Sequence, residues 1–61
     1  MKGPFSLYEQ AKDQAEPGEF IMARNERYYP EQGWCVMTDD EAQREYNNPQ
    51  FREWEQWEAI K

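Results

Sequence analysis

The sequence contains one cysteine, no histidine and three isolated glycines, which excludes several common devices. A single cysteine cannot form a disulfide within the chain, and without histidine there is no Cys/His zinc site. Isolated glycines do not make a glycine-rich phosphate-binding loop. We therefore expect neither a metal nor a cofactor.

Basic residues and long hydrophobic runs are also scarce. Seven Lys and Arg stand against thirteen Asp and Glu, so the formal net charge is -6. Direct binding to nucleic acid or to an anionic membrane is disfavoured, because phosphate contacts need Lys and Arg. No apolar run reaches the ~18 residues of a membrane span, and no signal-peptide pattern opens the chain. With one unpaired cysteine, these features favour a cytoplasmic protein.

Nucleophiles suited to catalysis are few. Ser6 and Thr38 are the only hydroxyl groups besides the tyrosines, and both are better explained as helix caps. Cys35 lies between apolar residues and has no histidine to activate it, which indicates a buried structural thiol. The sequence therefore favours a binding protein over an enzyme.

The 61 residues predict one small domain, residues 1–61, with little aliphatic material for its core. There are only four branched aliphatic residues but ten aromatic ones. Each buried ring removes roughly 150–250 Å² from water, so a few rings can replace many leucines. Aromatic content also argues against disorder, although order at residues 1–5 stays open.

The first half of the chain predicts a short helix followed by strands. Ser6 and Glu9 have the spacing of a capping box and Pro17 follows, which indicates a helix over residues 7–16. Apolar runs at 19–24 and 34–38 predict two strands, with a third at 27–29 completing either a hairpin or a three-strand meander. The two longer strands are apolar on both faces, so helices or a second copy must cover both sides.

The second half predicts two helices. Thr38 and Glu41 form a second capping box, which begins a helix that continues to Tyr46. Asn48 and Pro49 are typical of a new helix start, which predicts a final helix over residues 49–61. The expected fold is α+β in the order α-β-β-α-α.

The aromatic spacing of the last segment indicates a candidate binding surface. Phe51, Trp54, Trp57 and Ile60 recur every third residue and would cover about half of a helix, which is more than a small hairpin can bury. Trp54 suits the core, whereas Trp57 suits core and interface equally. Trp and Tyr are common in binding hot spots, so we expect a partner-binding set near this segment. That set is Tyr46, Trp54, Glu55, Trp57 and Glu58.

Negative charge is concentrated in the same region. Residues 39–61 contain seven acidic and three basic residues. Acidic residues also favour solubility and helix starts, so this pattern has an ordinary explanation too. Mimicry of nucleic acid by the whole surface fails, because net charge -6 over roughly 4,000 Å² is about sevenfold sparser than charge on a duplex. Only a local acidic patch approaches that density.

Two functional hypotheses follow. The first is a small acidic protein-binding module that inhibits or modulates a larger, basic, nucleic-acid-handling protein, in the manner of many virus-encoded host-directed inhibitors. The alternative is a self-assembling homodimeric structural or accessory protein with an aromatic interface. Neither requires a cofactor, nucleic acid or a membrane.

Overall fold

The computed structural model describes residues 1–27, 29–48 and 53–61, which form an antiparallel sheet of four strands and two helices. The elements are β1 (Lys2–Phe5), α1 (Tyr8–Gln14), β2 (Phe20–Arg24), β3 (Trp34–Met37), α2 (Asp39–Tyr46) and β4 (Trp54–Ala59). The strand order is β1-β3-β2-β4, so β1 and β4 are the two edges.

The two central strands supply side chains to both faces of the sheet. In the β2–β3 register Ile21 opposes Val36 and Met22 opposes Cys35. Successive strand residues point to opposite faces, so these two pairs lie on opposite sides. Ile21 and Val36 pack with Ala11 of α1, which defines the α1 face.

On the other side, Met22 and Cys35 pack with Ala42 of α2, which defines the α2 face. Strands that are apolar on both faces are thus covered by one helix on each face. The sequence allowed either helices or a second copy of the chain to cover these strands, and helices cover them here.

Strand order explains why the helices lie on opposite faces. The chain passes from β1 through α1 to β2 and from β3 through α2 to β4, each time stepping over one strand in the same direction across the sheet. Because β1 and β3 run antiparallel, two crossovers of the same hand must lie on opposite faces.

Helix α2 begins with the reciprocal bonds of a capping box, whereas α1 makes only one bond of this kind and begins one residue later than predicted. In α2 the Glu41 N–H donates to Thr38 Oγ at 3.3 Å and the Thr38 N–H donates to Glu41 Oε1 at 3.0 Å, as the sequence predicts. In α1 the cap is Leu7, whose N–H donates to Gln10 Oε1 at 3.2 Å. The predicted cap Ser6 therefore lies outside the helix.

The predicted fold class is wrong at the C-terminal end. Residues 49–52 lie outside the described residues, and residues 53–61 contain strand β4 where a helix was predicted. Without β4 the outer edge of β2 would have unpaired backbone groups, and β4 supplies their partners. The Asn25 N–H donates to the Glu53 carbonyl at 2.7 Å, and the Ile60 N–H donates to the Glu19 carbonyl at 2.9 Å.

Two further expectations about strands are resolved. Residues 1–5, whose order was open, include edge strand β1, in which Lys2 opposes Val36 and Phe5 opposes Trp34. The predicted strand at 27–29 includes Tyr28, which lies outside the described residues, and its neighbours Arg27 and Tyr29 are not in a strand. The observed order is β-α-β-β-α-β rather than α-β-β-α-α.

Candidate functional site

Strand β4 carries four of the five predicted site residues, and an irregularity in its pairing decides where they point. Met22 opposes Gln56 and Ile21 opposes Glu58, so Trp57 is an extra residue in a β-bulge. A bulge interrupts the strict alternation of side chains along the strand. Trp54 and Trp57 therefore lie in different environments although they are only three residues apart.

Trp54 is a core residue. It is 6% exposed and packs on the α2 face with Met22 and Cys35. The guanidinium of Arg24 lies 5.4 Å from the Trp54 ring centre and 5.2 Å from that of Tyr29. Contact between Trp54 and a partner remains a prediction. This geometry does not favour it, because a partner could reach little of the Trp54 surface.

Trp57 is 62% exposed, which is exceptional for the largest side chain in a protein of this size. It lines a surface pocket of about 370 Å³ at the end of β2, which we call the Trp57 pocket. Its other lining residues are Ala23, Arg24, Asn25, Glu26, Gln32 and Glu55. Ala23 packs in the α1-face cluster and opposes Glu55 in the strand register, which places this pocket on the α1 face.

The charges around the Trp57 pocket are unevenly paired. Arg24 contacts Glu53 at 3.2 Å and Glu31 at 3.8 Å, so its positive charge is already matched. Within the described part of the chain, the carboxylates of Glu26 and Glu55 make no ion pair, and both residues are exposed. The pocket therefore presents an aromatic ring beside two unmatched negative charges.

Glu58 joins β4 to α1. Its carboxylate accepts hydrogen bonds from Lys12 Nζ at 2.7 Å and from the Tyr8 hydroxyl. The hydrogen bond from Lys12 is the main reason that the pKa of Glu58 is lowered, and the bond from Tyr8 adds to it. This predicted contact residue is thus engaged within the chain.

Tyr46 lies on the opposite side of the sheet from the Trp57 pocket. It is 45% exposed, and its hydroxyl donates to Gln56 Oε1 at 3.2 Å. The structure therefore brings Glu55 and Trp57 together and separates them from Tyr46. That these five residues contact a partner remains a prediction.

The pocket also contains residues that sequence reasoning did not select. Asn25 and Glu26 follow β2, and Gln32 precedes β3. In the sequence, these three residues could be recognised only as parts of turn segments between two predicted strands. Asn25 is 8% exposed, and its Oδ1 accepts from the Arg27 N–H at 3.0 Å, which shapes the turn at the rim.

Cys35 and the acidic groups show no further chemistry. Burial raises the pKa of the Cys35 thiol to about 11, so the thiol stays protonated at neutral pH. Among the residues described, no cluster of three or more His, Cys, Asp or Glu could hold a metal ion. In the same part of the chain, no helix is long and apolar enough to cross a membrane.

Comparison of the chain with protein-family models, curated proteins and solved structures finds no match.

Proposed function

We propose that this protein is a small acidic binding module that docks on a larger protein with a basic surface and inhibits or modulates it. The observation that carries the proposal is Trp57, 62% exposed on an edge strand and beside the unmatched carboxylates of Glu26 and Glu55. Buried Trp anchors surrounded by polar residues dominate the energetics of many interfaces. A partner protein that buries Trp57 and places basic side chains against these carboxylates would use both features.

The area available is sufficient for such docking. The chain exposes 4486 Å², and a standard interface takes about 800 Å² from each partner. The β4 side of the molecule could supply that area without disturbing the core. Basic nucleic-acid-handling proteins are the proposed targets, because their grooves attract carboxylates; a virus-encoded origin and a cytoplasmic location belong to the same proposal.

A homodimeric accessory protein remains the second candidate. It was first suggested by strands that are apolar on both faces, but α1 and α2 now account for that pattern within one chain. The remaining support for the homodimer is the exposed Trp57 on β4, which is an edge strand of the sheet formed by the described residues. The experiment below separates the two candidates.

The test is capture of partners from bacterial lysate by the tagged protein, with elution in a salt gradient and identification by mass spectrometry. We expect one stoichiometric partner that is released by moderate salt, since exposed charge pairs are screened. Glu55→Lys and Trp57→Ala should each abolish capture. Asp40→Lys makes the same charge change as Glu55→Lys, but on α2 and on the other face, and should leave capture intact.

Two outcomes count against the proposal. Equal loss with Glu55→Lys and Asp40→Lys would show that only net charge matters. Recovery of the protein's own copies alone, at every salt concentration, would favour the homodimer.

A further inference from the structure

The outer edge of β4 offers backbone groups for pairing. Within the described residues β4 pairs with β2 alone. Residues of an antiparallel strand direct their backbone groups alternately toward and away from the neighbour. Glu53 and Ile60 bond toward β2, so by alternation around the bulge Trp54, Gln56 and Ala59 direct their N–H and C=O groups outward. The outward Trp54 N–H already donates to the Glu45 carboxylate of α2.

A second copy of this chain suits that edge poorly. The segment Trp54–Ala59 contains Glu55 and Glu58 and no basic residue. Lys12 matches the charge of Glu58, but Glu55 makes no ion pair among the described residues. Pairing two such edges brings two acidic strands together without any basic residue between them, which disfavours the pair. A strand of opposite charge meets no such repulsion, and it is the occupant that charge complementarity favours.

We propose that β4 binds an extended basic segment of the partner as a fifth strand, and that an Arg or Lys of this segment enters the Trp57 pocket. This inference rests on the proposed function and specifies how the partner is recognised. Strand addition supplies main-chain hydrogen bonds, and side-chain pockets on alternate residues supply specificity.

The Trp57 pocket suits a cationic side chain. A guanidinium or ammonium group over the face of an exposed Trp gains a cation–π interaction, and Glu26 and Glu55 would match its charge. The bulge at Trp57 limits the length of regular pairing. Pairing therefore centres on the N–H and C=O of Gln56 and on the Trp54 carbonyl, because the Trp54 N–H is already bonded to Glu45.

The test uses a synthetic peptide that alternates Arg or Lys with Val and Thr, titrated into the isotope-labelled protein and followed by NMR. We expect shifts at the pocket residues and slower hydrogen exchange at the amide of Gln56. Exchange at the Trp54 amide should change little, because this N–H already donates to Glu45. The same peptide with N-methyl groups at alternate residues keeps its charge but loses backbone donors, and it should bind at least about tenfold more weakly.

Two variants test the pocket in the same titration. Glu55→Gln should weaken binding at least about threefold, because it removes a charge beside the bound cation. Asp40→Asn removes one charge from the other face and is the matched control, with binding expected to be unchanged.

Each contrary result overturns the inference in a recognisable way. Equal binding by the N-methylated peptide excludes strand addition, and equal binding by an acidic peptide of the same pattern excludes charge selection. No binding of the basic peptide at millimolar concentration also overturns it. Capture of a salt-released partner from lysate would then leave the proposed function standing, so the two failures are distinguishable.

Discussion

At the scale of single residues, the two tryptophans of β4 show how position decides the role of one side chain. Trp54 is 6% exposed among Met22 and Cys35, whereas Trp57 is 62% exposed. The first contributes its whole ring to the core, and the second contributes little to folding. Their substitution therefore separates stability from function.

We expect Trp54→Ala to destabilise the protein strongly and Trp57→Ala to leave its stability nearly unchanged. Removing a buried Trp costs about 3–5 kcal/mol. A chain of this length has a free energy of unfolding of about 3–9 kcal/mol in total. The exposed Trp57 should change it by about 1 kcal/mol or less. Urea unfolding followed by circular dichroism measures both, and similar losses in the two variants would contradict the assigned burial.

The thiol of Cys35 gives a second prediction at this scale. Its pKa is raised to about 11, so the reactive thiolate at pH 8 is about a hundredfold scarcer than at the ordinary pKa of 9.0. Iodoacetamide should label the native protein at pH 8 at least that much more slowly than protein unfolded in urea. The raised pKa also means that stability should fall as pH rises from about 9 towards 11. Rapid labelling of the native protein would refute a buried thiol.

At the scale of elements, the edge strand β1 depends on one glycine. Gly3 has a φ of +99°, and a Cβ there would lie 2.9 Å from Phe5 Cδ2 and 3.0 Å from the Trp34 carbonyl oxygen. Side chains rarely tolerate this conformation or these distances. A glycine in the loop before β3 provides a contrast, since a Cβ at Gly33 would meet nothing closer than 3.8 Å.

We therefore expect Gly3→Ala to destabilise the protein by about 1–3 kcal/mol. Gly33→Ala should be neutral or stabilise it by up to about 1 kcal/mol, because alanine restricts the unfolded chain. Thermal unfolding of both variants measures the difference. A Gly3→Ala protein as stable as the parent would show that β1 contributes nothing to the fold.

At the scale of the whole molecule, carboxylates that accept hydrogen bonds set the response to acid. The N-terminal amine, 2.6 Å from Glu41, lowers the pKa of that carboxyl, and Lys12 does the same for Glu58. The pKa of Glu19 is lowered first by the Glu16 N–H and then by Lys2. Burial raises the pKa of Glu45, which opposes the trend.

The three lowered pKa values contribute stability that is present above about pH 4.5 and is lost as pH falls below it. We expect the melting temperature to decline from pH 5 to pH 3. Glu58→Gln should make this decline shallower, whereas Glu9→Gln, at an exposed position on α1, should not. Circular dichroism melts across this range provide the measurement, and an unchanged slope for Glu58→Gln would contradict the link between β4 and α1.

Local signals located four of the six elements, one of them only approximately. Apolar runs located β2 and β3, and a capping box located α2, because these patterns act between residues that are close in sequence. Helix α1 lies within its predicted range, but its predicted cap Ser6 was wrong. The charged and aromatic character of Glu55 and Trp57 was also evident. Their grouping with Glu26 was not, since Glu26 reaches them only through the β2–β4 pairing.

The C-terminal prediction was wrong for an identifiable reason. Trp54, Trp57 and Ile60 recur every third residue, which is typical of a helix, and a β-bulge at Trp57 produces the same spacing in a strand. The bulge shifts the alternation of side chains by one residue, so Ile60 lies on the α1 face and Trp54 on the α2 face. No local pattern distinguishes the two cases.

The sequence by itself determined the excess of negative charge, the start of α2 and the two central strands. Tertiary structure alone decided that residues 2–5 and 54–59 become edge strands, since both are placed by backbone bonds to residues distant in sequence. It also decided that Trp54 is buried and Trp57 exposed. The physical reason is that side-chain burial depends on strand register and on the covering helices, which no short segment specifies.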